Sequence, residues 1–173
     1  MAGVTGPDVR IVQLPAETVI ALAAGDLTAA NRSAPVELTP WLVAPSSVST
    51  WRFRARQVVE SPVDLDWFTG ALQDVASGEV VGMAGFHAAP DETGMVEIGY
   101  GIDPAYRRRG YARAALLVLL ERARSEPTVR TLRATISPDN AASLGLIAQF
   151  PFVEVGEQWD EEEGLEIIYE LAV

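Results

Sequence analysis

Apolar and polar positions alternate with a period of two in several short runs, the signature of strands with one face buried. Val9 to Leu14 reads as a first strand. Trp67 to Asp74 and Glu79 to His87 read as a hairpin about Ala76-Ser77-Gly78, and Met95 to Asp103 follows the turn Pro90 to Gly94 as a further strand. Thr131 to Ser137 is another. Phe152 to Gln158 and Leu165 to Val173 form a closing hairpin about Asp160-Glu161-Glu162-Glu163-Gly164, and Leu165, Ile167, Tyr169, Leu171 and Val173 share one face. Helical spacing appears in Ala112 to Ser125, with apolar residues at 112, 116, 119, 120 and 123. Pro15 to Asp26 and Asn140 to Phe150 also read as helices. Trp51 to Arg56 fits either period, and the shared helical face of Arg52 and Arg56 favours a helix. Residues 27–50, rich in Pro, Ser, Thr and Ala, show no clear period.

The order β-α-(α)-β-β-β-α-β-α-β-β predicts an α/β (α+β) fold. Its centre is a mixed, mostly antiparallel sheet of six to seven strands flanked by about four helices, not a doubly wound sheet. At 173 residues the chain is long enough for one domain with a real core, and no repeat or linker divides it. Residues 1–8 are expected to be a flexible N-terminus without an export signal. The longest apolar run near the predicted helix at 112–125, Ala114 to Leu120, is too short to cross a bilayer. With no cysteine and a single histidine, His87, the chain is not expected to hold a metal or to use a covalent nucleophile. A net charge of −11 argues against nucleic-acid binding and is compatible with a cationic substrate. A cytoplasmic protein is expected.

Against that acidic background, Asp103-Pro104-Ala105-Tyr106-Arg107-Arg108-Arg109-Gly110-Tyr111-Ala112-Arg113 stands out. Four arginines and one aspartate give it a charge of +3, between a predicted strand and a predicted helix. Backbone N–H groups at a helix start lack intrahelical partners, and the helix dipole favours an anion there. The loop has neither G-x-G-x-x-G nor G-x-x-x-x-G-K-[ST], so neither nucleotide motif fits.

Arg107-Arg108-Arg109-Gly110-Tyr111-Ala112 resembles the (Gln/Arg)-x-x-Gly-x-(Gly/Ala) acetyl-CoA loop of the GCN5-related N-acetyltransferases. Glu97-Ile98-Gly99-Tyr100 and Asp103-Pro104 precede it, and Ser137-Pro138-Asp139-Asn140-Ala141-Ala142-Ser143 follows it. Together these are similar to the RimJ/RimL-type branch, over residues 79–156 most closely. The resemblance implies acetyl-CoA as cosubstrate, a primary amine as acceptor (small molecule or peptide N-terminus), no metal, and a monomer or homodimer. It implies phosphate contacts from Arg107, Arg108, Arg109, Gly110, Tyr111, Ala112 and Arg113. Main-chain pairing to pantetheine is implied around Ile102, with Asn140 against the pantetheine and Ser143 near the sulfur. Two departures mark this chain. Phe150-Pro151-Phe152 stands where the family has Gly-Phe, and Leu144-Gly145-Leu146-Ile147 lacks the tyrosine many relatives use as an acid.

Amine acetylation needs an unprotonated nitrogen, and a free alkyl amine has a pKa near ~10. Glu97 shares a strand face with Gly99 and Gly101, which are expected to leave an open groove beside its carboxylate. Glu97 is therefore the candidate general base, directly or through water. Ser143 is the candidate to assist the leaving thiolate, with Tyr100, Tyr111 and Tyr169 as alternative donors. His87, Asp91 and Glu92 are candidate acceptor contacts, and Trp41, Trp51, Trp67 and Trp159 line either an acceptor cleft or the core. A non-catalytic acyl-CoA sensor and a transferase for longer acyl groups are the competing readings.

Overall fold

The computed structural model describes residues 6–173. Seven strands form one sheet: β1 (Val9–Val12), β2 (Gly70–Asp74), β3 (Val80–Phe86), β4 (Met95–Ile102), β5 (Thr131–Ile136), β6 (Val153–Asp160) and β7 (Gly164–Ala172). Their order is β1-β2-β3-β4-β5-β7-β6. Only β4 and β5 pair in parallel; every other neighbour is antiparallel. The expected mixed sheet is therefore present, with seven strands.

Five α-helices pack on it: α1 (Ala16–Ala23), α2 (Leu27–Ser33), α3 (Pro45–Glu60), α4 (Tyr111–Ser125) and α5 (Ala141–Ile147). The helix beyond the expected four is α2. Asp26, read as the end of the first helix, instead caps α2, its carboxylate accepting the Ala29 N–H at 2.8 Å. Trp67, read as the start of a strand, belongs to a 3-10 turn over Pro62–Trp67, and β2 begins at Gly70.

Two apolar layers cover the sheet. One joins α4 to it through Leu116, Leu119, Leu120 and Phe86. The other packs α1 and α3 through Leu22, Trp51 and Val58 against Ala71, Val80 and Met83. All of β3 is buried, as a central strand covered on both faces must be. The buried residues of α3, Ser47, Trp51, Arg54 and Val58, recur at spacings of four and three, one helical stripe. Arg54 is thus a charged residue in an apolar row.

Two residues of the segment expected to be a flexible N-terminus make contacts in the structure. Residues 1–5 lie outside the described residues, but Pro7 and Asp8 are placed. The Asp8 carbonyl accepts the Val75 N–H at 2.9 Å, and a Cβ built on Gly110 would come within 3.1 Å of Pro7.

Candidate active site

β4 and β5 lie side by side only at Met95, Val96 and Glu97 against Thr131, Leu132 and Arg133; beyond that the strands part. On its other edge β4 stays paired with β3 through Gly99, Gly101 and Ile102. Hydrogen bonds link His87 to Glu97 and Asp103 to Val81, so by the alternation of an antiparallel ladder the main chain of residues 97, 99, 101 and 103 faces β3. The main-chain groups of Tyr100 and Ile102 consequently face the split. The Ile102 carbonyl accepts the Arg107 Nε–H at 3.0 Å, while the Ile102 N–H stays open to a ligand.

The basic loop lies at the end of that split. Asp103 caps a 3-10 turn at Pro104–Tyr106, and the chain then takes a left-handed conformation at Arg108 (φ 61°) and at Gly110 (φ 86°). Gly110 caps α4 but has no side chain to offer its amides. Among the described residues, no hydrogen bond engages the N–H groups of Arg108 through Arg113. Consecutive amides left open at a helix start, with left-handed residues between them, form a concave anion site. Tyr111 fixes that helix end by donating its hydroxyl to Asp74 Oδ2 at 3.0 Å. Asp74 is held below the usual carboxylate range, mainly by the backbone N–H of Ser77. Two arginines are engaged by ring faces: Arg109 stacks 5.6 Å from the Tyr106 centroid and Arg113 5.7 Å from that of Phe150.

The split opens into a cleft of about 310 Å³, lined in part by Tyr100, Thr135, Asn140, Ser143 and His87. Asn140 is the N-cap of α5: its Oδ1 accepts the Ser143 N–H at 3.1 Å, leaving only its amide nitrogen to face a ligand. The Tyr100 hydroxyl lies 3.2 Å from Ser143 Oγ, and burial raises its pKa. A phenol from β4 thus reaches the helix that lacks the family's tyrosine. The Phe-Pro-Phe segment also finds its account. α5 stops at Ile147 and the chain turns through Phe150, whose N–H donates to the Ile147 carbonyl at 2.9 Å, before Pro151 is reached.

A second cleft of about 670 Å³ adjoins the first and shares His87, Gly99, Tyr100 and Glu163 with it. One wall is α3, with Phe53, Arg54 and Arg56. The facing wall is the β6–β7 turn, Trp159 to Glu163. Trp159, 76% exposed, is the one tryptophan lining this wall. Trp51 is fully buried, Trp67 packs edge-on to Phe86, and Trp41 fills the space over Gly101.

His87 sits where the clefts meet. A Cβ on Gly99 would fall 2.7 Å from its Nε2, so only glycine admits the ring there. The open groove expected beside Glu97 is therefore not found: His87 occupies the space over Gly99, and Trp41 and Met83 that over Gly101. Glu97 lies behind the ring. Its Oε1 accepts the Thr135 hydroxyl at 2.5 Å and stands 3.5 Å from His87 Nδ1. Although 41% of the His87 side chain is exposed, crowding and the Arg54 charge lower its pKa to about 4, and the ring is neutral at pH 7. Asp91 and Glu92 line neither cleft. The Asp91 carboxylate closes the β3–β4 turn, accepting from Thr93 N–H at 2.8 Å, Thr93 Oγ1 at 2.6 Å and Met95 N–H at 3.0 Å. Among the described residues no cluster of metal-ligating side chains forms, and no helix is long and apolar enough to cross a membrane.

Arg54 escaped the sequence reading. The signal was present: Trp51 and Val58 fix the buried face of α3, and Arg54 falls on it. Its Nε donates to Thr69 Oγ1 at 2.9 Å, and its Nη1 to Gln57 Oε1 at 2.6 Å and to the His87 carbonyl at 3.1 Å.

A sheet split between parallel strands, with an amide cradle at the start of the following helix, defines an acyl-CoA-binding acetyltransferase fold. The family model "Acetyltransferase (GNAT) domain" matches residues 18–153, and the chain belongs to that family. It is 37% identical over 75 residues to an uncharacterized N-acetyltransferase, YjdG, of Bacillus subtilis, a match over 43% of this chain and 45% of YjdG. The chain thus spans about half the length of that relative. Among solved structures it is similar to the ribosomal-protein-S5-alanine acetyltransferase of Vibrio fischeri, with a TM-score of 0.62 and 19% identity over 95% of this chain and 91% of that one. It is also similar to RimJ of Mycobacterium smegmatis in complex with CoA-disulfide, with a TM-score of 0.63 and 18% identity over 95% of this chain and 81% of that one.

Proposed function

We propose that this protein transfers an acetyl group from acetyl-CoA to a primary amine by direct attack, without a covalent enzyme intermediate. The observation carrying the proposal is the row of unengaged amides from Arg108 to Arg113, at the end of the β4–β5 split. Such a row fits a pyrophosphate, and the exposed Arg108 and Arg109 side chains add charge-assisted contacts. The Tyr100 and Ile102 main chain and the Asn140 amide nitrogen would hold the pantetheine arm along the split. Acetyl-CoA supplies an activated thioester.

The chain's own residues divide the proton work. His87 lines both clefts and, its ring being neutral, would accept a proton or a hydrogen bond from the acceptor nitrogen at Nε2. Glu97 behind it orients the ring by attracting Nδ1–H. This moves the base from Glu97, which lines neither cleft, to His87, and makes Glu97 a positioning residue. At the other end Tyr100 donates to Ser143 Oγ, which frees the Ser143 proton for the departing sulfur.

The test is calorimetry with acetyl-CoA and CoA, followed by thiol release with a panel of amines. Binding plus release for one class of amine is expected. Binding of CoA with no release from any amine would favour a sensor, and no CoA binding would end the proposal.

A further inference from the structure

The cleft beyond His87 is lined by a buried arginine that no carboxylate of the described residues touches, its one favourable charge being Glu97 at longer range. Arg54 is only 4% exposed, and burial lowers its pKa to about 10. Its hydrogen-bond partners are a hydroxyl, an amide oxygen and a peptide carbonyl, all neutral. No carboxylate among the described residues forms an ion pair with it. Its Nη2 donates to no protein atom among the described residues, and Arg54 lines the cleft. A buried cation with no carboxylate in contact is costly, and proteins ordinarily pair one directly. A purely structural tie does not need the charge. Gln57 already holds the same His87 carbonyl through its own Nε2–H at 2.7 Å.

We infer that Arg54 binds a carboxylate of the acceptor, and that the acceptor is a free amino acid or another amino-carboxylate. This rests on the acetyl-transfer reading above. Arg54 bonds the backbone carbonyl of the residue whose imidazole would take the amine, so the carboxylate and amine subsites are adjacent, as they are in an α-amino acid. The opposite wall carries Asp160 to Glu163, which attracts the ammonium group in transit and orients a zwitterion across the cleft. A polyamine would satisfy that wall but leave Arg54 facing a second cation.

The experiment compares, on the wild-type protein with acetyl-CoA, the common amino acids, the amide of each, and straight-chain diamines, reading thiol release. The acids are expected to exceed their amides by about tenfold or more in kcat/KM, the range for a hydrogen bond to a charged group. Arg54→Lys keeps charge but loses the fork, and Arg54→Met loses both; each is expected to erase most of that preference, with folding checked by thermal melts. Amides equal to acids, or diamines preferred, would overturn the carboxylate subsite and leave the transferase reading standing. Release from no amine would overturn the transferase reading. In that case the same acid and amide pairs are titrated into the CoA-loaded protein. Acid-selective binding then supports the subsite; equal binding, or none, overturns it.

Discussion

His87 carries the sharpest mechanistic prediction because it is the imidazole that lines both clefts. His87→Gln is expected to lower kcat/KM by about a hundredfold, the usual range for a lost general base, while leaving the dissociation constant for CoA unchanged. Glu97→Gln should cost less, about tenfold, because a glutamine oxygen can still accept from Thr135. Steady-state kinetics over pH 6 to 9 checks both. Since His87 titrates near pH 4, its protonation should produce no limb in that range, and rates should climb only with deprotonation of the acceptor amine. A limb centred near 6.5 that disappears in His87→Gln would contradict this. The wrong expectation here is instructive. The strand face of Glu97, Gly99 and Gly101 was legible from alternation, but what fills the space over each glycine was not. The fillers, His87, Trp41 and Met83, come from other elements and are set by packing rather than by period.

Two couplings between elements bear on turnover. Tyr100 on β4 and Ser143 on α5 act as one donor chain, so Tyr100→Phe and Ser143→Ala should each reduce kcat about tenfold. The double variant should be little worse than either single one, as expected for groups in one hydrogen-bond network. Additive losses in a double-mutant cycle would show that they work separately. At the start of α4, Gly110 holds φ 86° with Pro7 close by. Gly110→Ala should cost about 1–2 kcal/mol of stability from the left-handed conformation alone and weaken CoA binding by tilting the cradle amides. Thermal melts and calorimetry read these separately. The strands and α4 were legible because their apolar periods run undisturbed. α2 and the start of α3 were not, since 27–50 is Pro-, Ser- and Ala-rich; α2 is a short helix capped by Asp26, and α3 opens on Pro45 with no side-chain cap. The departing strands β4 and β5 followed from no local pattern; the resemblance implied only main-chain pairing around Ile102.

For the molecule as a whole, the same packing that forms the acceptor cleft ties stability to pH. His87 has its pKa depressed in the folded protein by burial first and by Arg54 second. The charged groups around it are Arg54 from α3, Glu97 from β4 and Glu163 from the β6–β7 turn. With the folded pKa below the unfolded value near ~6.5, the unfolded chain binds the proton more readily between the two. The neutral ring's contribution is therefore complete above pH 6.5 and is lost as pH falls towards 4. Because 41% of the side chain is exposed, the effect is well below the full shift, solvent screening taking its share. Tm measured from pH 7.5 to 4.5 should fall more steeply for the wild type than for His87→Gln, the two curves converging or crossing at the acid end. Carboxylates remote from His87 are common to both proteins and cancel in the difference, whereas Glu97, which touches the ring, does not. Parallel curves would mean that the ring is not held neutral by its surroundings. The adjacent Arg54, with no carboxylate in contact, would then also need another explanation, since the two groups share one enclosure.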